Sequence, residues 1–166
     1  VMANATKAAT DLKKLNQKQV DRIVRAANEA DFNHRIHLAK LACEETGIGI
    51  WQDKVLKNVI ASRLVYQDIK NLKTVDVISE DLTNGIVEIA QPIGPIFAIT
   101  PITNPTSTVL FKILICLKTR NPIIIRPHGA AKKCSIEAAR ICYQAALRAG
   151  APENCIQWIK RSTEQE

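Results

Sequence analysis

Ile96-Phe97-Ala98-Ile99-Thr100-Pro101-Ile102-Thr103-Asn104-Pro105-Thr106-Ser107-Thr108 is the stretch from which the fold can be read. Its apolar start has the length of a fully buried strand, a polar turn bounded by prolines follows, and residues 108–118 carry a helical pattern. A second apolar run, Ile123-Ile124-Ile125, closes on Arg126-Pro127-His128. Strand, polar turn, helix, strand, polar turn is the order of a βαβ unit. Ligands of open α/β sheets collect at the carboxyl ends of the strands. Both polar turns belong to that edge, so chemistry is to be sought there.

Outward from this unit, residues 131–149 read as a helix with Ile136, Ala139, Tyr143, Ala146 and Leu147 on one side. Gly150-Ala151-Pro152 stops it, and Ile156-Gln157-Trp158-Ile159 reads as a third strand before a polar tail over 160–166. Toward the N-terminus, residues 1 to about 15 suggest a Lys-rich helix. Val20, Ile23, Val24 and Ala27 mark one face of a second helix, and residues 33–45 a separate one with Ile36, Ala39, Leu41 and Ala42 toward the core. Gly47-Ile48-Gly49 lacks the rest of a phosphate loop and reads as helix termination. Trp51 is expected to anchor that corner, and residues 53–72 to form a long helix buried through Leu56, Val59, Ile60 and Leu64. Val75-Asp76-Val77-Ile78 and Ile86-Val87-Glu88-Ile89 flank the turn signal Asn84-Gly85, as in a hairpin. That hairpin is either an edge of the same domain or an arm that pairs with another element or subunit.

The expected class is therefore α/β. Residues 1–73 form a helical segment, 74–91 an extended arm, and 92–166 the first βαβαβ half of a Rossmann-like sheet. Such a half lacks the strands that complete a doubly wound sheet, so the chain reads as an N-terminal fragment of a larger domain.

Composition narrows the function. Lys and Arg number 23 against 16 acids, a formal charge of +7, but the cations are scattered among acids and read as a solvated surface. Neither nucleic acid nor membrane is expected as a partner. No signal-peptide pattern follows Val1-Met2-Ala3-Asn4, which favours the cytoplasm. Five cysteines without zinc spacing suggest neither a disulfide framework nor a metal site. Cys43, Cys116 and Cys142 fall on apolar faces, while Cys134 lies near a helix start whose dipole lowers a thiol pKa; it is the one to test for reactivity, with an inert thiol the preferred reading.

Several segments in register carry a family resemblance: Gln19-Val20-Asp21-Arg22-Ile23, Leu38-Ala39-Lys40-Leu41-Ala42, Glu45-Thr46-Gly47-Ile48-Gly49 and Asp53-Lys54-Val55-Leu56-Lys57-Asn58. It continues through Pro92-Ile93-Gly94, Thr103-Asn104-Pro105-Thr106-Ser107-Thr108, Lys118-Thr119-Arg120-Asn121 and Ala149-Gly150-Ala151-Pro152. The chain resembles the CoA-acylating branch of the aldehyde dehydrogenase superfamily, in particular the N-terminal part of bifunctional aldehyde-alcohol dehydrogenases.

The resemblance implies NAD(H)-dependent interconversion of a small aldehyde and its acyl-CoA, with coenzyme A as co-substrate. It also implies a homo-oligomeric, filament-forming parent. Asn104 matches the asparagine whose amide stabilises the oxyanion; its plain alternative is a turn-former before Pro105. Ile99, Thr100, Pro101, Ile102 and Thr103 are implied to contact the cofactor through their backbone. Arg126, Pro127 and His128 match the loop that holds the adenosine end, where the sequence departs from its relatives at Arg126 and Gly129 and leaves NADP open. His128 alternatively caps a helix. No cysteine here matches the family nucleophile, so residues 1–166 alone are expected to be inactive. A non-catalytic nucleotide-binding or assembly module is the second reading.

Overall fold

The computed structural model describes residues 1–160; the polar tail read from the sequence lies, beyond Lys160, outside the described residues. Three parallel strands, β3 (Ile96–Ile99), β4 (Ile123–Arg126) and β5 (Ile156–Trp158), lie in chain order, with Ile96 opposite Ile123 and Ile123 opposite Ile156. Helices α5 (Pro105–Lys118) and α6 (Lys132–Arg148) make the two crossovers. The face of the sheet that carries Ala98, Ile123, Ile125 and Ile156 is buried in one core with Val109, Ile113, Ala138 and Cys142 of these helices. Phe97 and Ile99, on the other face, are exposed. The expected βαβαβ order is therefore present.

Helix α1 (Met2–Lys13) buries Ala5, Ala8 and Leu12. Helix α2 (Gln17–Thr46) begins at a capping box: Asn16 Oδ1 accepts from Gln19 N at 3.0 Å, and Gln19 Oε1 accepts from Asn16 N at 2.9 Å. It ends at Gly47, whose φ of +65° is the left-handed cap expected from Thr46-Gly47. Between these caps the chain forms one helix of 30 residues rather than two. No Gly or Pro interrupts it, and the buried stripe runs on through Ala27, Asn28 and Asp31 to Leu38, Ala39 and Ala42. The polar residues at 28 and 31 hide that continuity from a hydrophobic pattern. Ile36, expected inside, is exposed because it falls off the stripe.

The next helix also departs from expectation. Helix α3 (Trp51–Val59) passes through one π-helical turn (Ile60–Leu64) into α4 (Val65–Ile69). Leu56, Ile60 and Leu64 are 63%, 54% and 52% exposed, while Lys54, Asn58, Ala61 and Ser62 face inward. The inward polar groups are matched: Asn58 Nδ2 donates to Arg35 O at 3.1 Å and Asn58 Oδ1 accepts from Thr106 Oγ1 at 2.9 Å. Ser62 Oγ donates to Asn58 O at 2.7 Å. Trp51 is likewise not a core anchor; it is exposed, with Lys40 Nζ 5.0 Å from its ring centroid.

Strands β1 (Asp76–Asp81) and β2 (Ile86–Ala90) form the expected antiparallel hairpin, with a bulge between Val77 and Ser79. Asp81 Oδ1 accepts from Thr83 N at 3.0 Å and Asn84 N at 3.1 Å, and Gly85 supplies φ +67°. The segment after α5 ties the hairpin to the body. Arg120 donates to Lys13 O at 3.0 Å and Ala90 O at 3.1 Å, and Asn121 Oδ1 accepts from Ile93 N and Gly94 N, both at 2.9 Å. Buried Lys118 donates to Asp21 Oδ1 at 2.6 Å and Lys70 O at 3.0 Å. No helix among the described residues is long and apolar enough to cross a membrane.

Candidate functional site

The two polar turns meet at the carboxyl edge of the sheet, where Thr100 N donates to Arg126 O at 3.1 Å. Each residue singled out from the sequence has a definite place. Ile99 ends β3 with its side chain exposed, and Thr100 is buried with its hydroxyl oxygen unpartnered. Pro101 is exposed, and Ile102 packs on the small cluster of Ala42, Ala131 and Cys134. Thr103 offers its carbonyl to Lys54 Nζ at 3.0 Å. In the second turn Arg126 is exposed and Pro127 buried. His128 Nδ1 accepts from Ala130 N at 3.2 Å, capping the 3-10 turn Gly129–Ala131. The capping role is therefore realised. Arg126, Pro127, Gly129, Lys132 and Ile159 surround a small hollow beside this turn.

Asn104 occupies the N-cap position of α5, with Pro105 at the first helical residue, where a fixed φ and a missing N–H cost nothing. Yet its side chain makes no capping bond. Lys57 Nζ donates to Asn104 Oδ1 at 2.8 Å. Asn104 Nδ2 has only Thr103 Oγ1 at 3.5 Å, the outer limit of a hydrogen bond. One N–H has at most that long contact, and the other remains open to a ligand. Beside it runs a groove of about 450 Å³. One wall is Lys57, Ile60, Ala61 and Val65, and the other Asn104, Ser107, Thr108 and Phe111. The arrangement is an uncommitted neutral donor at the mouth of an apolar trough.

Among the described residues no cysteine lines that groove. Burial pushes the Cys116 thiol up to about 11 and the Cys155 thiol up to about 12. Cys142 is also pushed well up by burial, with the Asp31 carboxyl adding to the shift. Cys134, the one cysteine with a dipole-based case for reactivity, is buried and pushed up to about 12, first by burial and then by hydrogen bonding and charge from Glu45. Glu45 takes the N-terminus of α6 for itself: Lys133 N and Cys134 N donate to its two oxygens at 2.7 Å each. Burial acts to raise the Glu45 carboxyl, but the two N–H groups, the Cys134 thiol and the Lys133 charge together hold it below the ordinary value.

Lys54, Lys57 and Glu45 escaped a site reading of the sequence. A signal existed for each. Lys54, Lys57, Asn58, Ala61 and Ser62 have the same i, i+3, i+4, i+7 spacing as the apolar stripe beside them. Glu45, in the last turn of α2, opposes the dipole of its own helix, as an acid serving another helix would.

The aldehyde dehydrogenase family model matches residues 1–165. The bifunctional aldehyde-alcohol dehydrogenase of Escherichia coli is 52% identical over 153 residues, 92% of this chain and 17% of that protein. An acetylating aldehyde dehydrogenase from Geobacillus thermoglucosidasius superposes with a TM-score of 0.96 at 47% identity, over 98% of this chain and 36% of that one. The propionaldehyde dehydrogenase of Rhodopseudomonas palustris, solved with bound CoA and an acylated cysteine, gives a TM-score of 0.83 at 28% identity, over 98% and 37%. The chain thus spans well under half the length of these relatives.

Proposed function

Because the chain belongs to the aldehyde dehydrogenase family, we propose that it contributes the oxyanion-binding half of a CoA-acylating aldehyde dehydrogenase active site. The overall reaction takes an aldehyde, CoA and an oxidised nicotinamide dinucleotide to an acyl-CoA, the reduced dinucleotide and a proton. Attack of a thiolate on the carbonyl carbon moves the C=O electron pair onto oxygen. Donors already aimed at that oxygen stabilise the charge without reorganising as it develops. Asn104 suits this, since a neutral amide keeps its donors at any working pH. The attacking thiol belongs to the part of the relatives' length that this chain does not span. The trough of Ile60, Val65 and Phe111 receives the aldehyde's carbon chain.

The adenosine end of a dinucleotide is assigned to the carboxyl edge of the sheet. Arg126 and Lys132 supply cationic donors around the hollow beside Gly129, a Cβ at Gly129 would meet nothing within 4 Å, and no carboxylate among the described residues lines the hollow. With no acid among the described residues there, the hollow discriminates little against a ribose phosphate; NAD is the expected cofactor and NADP is tolerated. When bound, the dinucleotide supplies the hydride acceptor. Arg126 and Lys132 hold its far end, and the exposed edge at Ile99 and Pro101 lies open to it.

The observation that carries this reading is the uncommitted Nδ2 of Asn104 beside the apolar groove. In the full-length polypeptide, Asn104→Ala is expected to lower kcat for CoA-dependent aldehyde oxidation by about 10²–10³, as loss of one oxyanion donor does, with dinucleotide affinity unchanged. Residues 1–166 alone are expected to show no such oxidation. Wild-type kcat in the variant, or activity from the isolated segment, overturns the reading.

A further inference from the structure

The segment Asp53-Lys54-Val55-Leu56-Lys57-Asn58 stands out in the sequence, yet the chemistry above does not use it. Its polar face grips the start of α5 at successive points. Lys54, only 6% exposed, donates from Nζ to Thr103 O at 3.0 Å. Lys57 donates to Asn104 Oδ1 at 2.8 Å, and Asn58 accepts from Thr106 Oγ1 at 2.9 Å. Backbone before Asn104, side chain of Asn104 and first helical turn after it are each held by one residue of α3.

We propose that Lys57 is a positioning residue for Asn104, setting which end of the amide faces the reacting oxygen. This rests on the oxyanion role of Asn104. An amide can rotate by half a turn and present either oxygen or nitrogen, with little cost in shape. An ammonium has donors only, so a Lys57 seated beside the amide tolerates its oxygen and excludes its nitrogen. The NH2 group is thereby turned away from α3 as a donor. Oδ1 is turned to Lys57 and makes no capping bond to α5. The cation also draws electron density toward Oδ1 and makes the N–H groups stronger donors. Lys54 fixes the peptide from which Asn104 projects.

The test is a double-mutant cycle in the full-length polypeptide with Asn104→Ala, Lys57→Met and both. Lys57→Met is expected to lower kcat at least tenfold with KM for the aldehyde and dinucleotide affinity little changed. Lys57→Arg is expected to recover most of the loss. In the Asn104→Ala background, Lys57→Met is expected to cost almost nothing more. Lys57 is exposed, so the variant should fold, and an unchanged Tm checks this. If Asn104→Ala lowers kcat but Lys57→Met does not, or if the two losses multiply, the positioning role is overturned and the oxyanion role stands. If Asn104→Ala leaves kcat intact, the oxyanion role falls and the positioning role with it.

Discussion

Asp31 lies on the buried face of α2 with neither carboxylate oxygen hydrogen-bonded among the described residues, and burial pushes its carboxyl well above the ordinary range. Its folded form therefore retains a proton that the unfolded chain releases near the usual value of about 3.9. A raised carboxyl weakens folding as pH climbs above that unfolded value, and the effect is absent below it. Asp31→Asn is accordingly expected to stabilise the chain at pH 7, because it removes the ionisation that favours the unfolded state. Urea denaturation at pH 7 and pH 4 should show the gain shrinking at the lower pH; equal gains would contradict ionisation as the cause. Glu45 shows the opposite case, a carboxylate held below its ordinary value chiefly by two backbone donors. Neither state is legible at the residue itself. Asp31 and Glu45 are ordinary helical acids until α6 packs beside α2, and Cys134 looks dipole-activated until Glu45 occupies its helix start.

Helix α3 with its π turn tests how far periodicity can be trusted for a single element. Two stripes with the same spacing compete, one apolar through Leu56, Ile60 and Leu64 and one polar through Lys54, Asn58 and Ser62. The polar one faces inward, because Arg35, Thr103 and Thr106 offer it matching donors and acceptors. Hydrophobic burial favours the other rotation only where it loses no hydrogen bonds. Leu56→Gln should therefore change stability by no more than about 0.5 kcal/mol, as exposed positions do. Asn58→Leu should cost about 3 kcal/mol by orphaning the Arg35 carbonyl and the Thr106 hydroxyl. Thermal denaturation of the two variants decides the orientation. The exposure of Ile60 is also what supplies an apolar wall to the groove beside Asn104. Helix α2 teaches the same lesson more mildly: buried Asn28 and Asp31 interrupt its hydrophobic pattern but not its backbone.

Across the whole molecule, the bare face at Phe97 and Ile99 and the hairpin β1–β2 leave apolar surface uncovered. Ile86, Val87 and Ile89 are exposed although successive strand residues point to opposite faces, so both sides of the hairpin are open. A two-stranded ribbon is marginal by itself in water. The hairpin is expected to pair with another copy in the full-length polypeptide, and Ile89→Lys with Val87→Lys should lower the oligomeric state seen by light scattering. An unchanged assembly would remove the hairpin from that role. The sequence by itself determined the order βαβαβ, the hairpin with its Asn84-Gly85 turn, the Gly47 cap and the place of Asn104 at a strand's carboxyl end. These are local: strand length, turn chemistry and capping act over a few residues and leave their mark in composition. Only tertiary structure decided which face of α3 turns inward, that Lys57 rather than α5 claims the Asn104 oxygen, and that Glu45 silences the α6 terminus. Each joins residues more than forty positions apart. Hydrogen-bond complementarity between distant elements leaves no periodic trace in a chain, so packing alone resolves it.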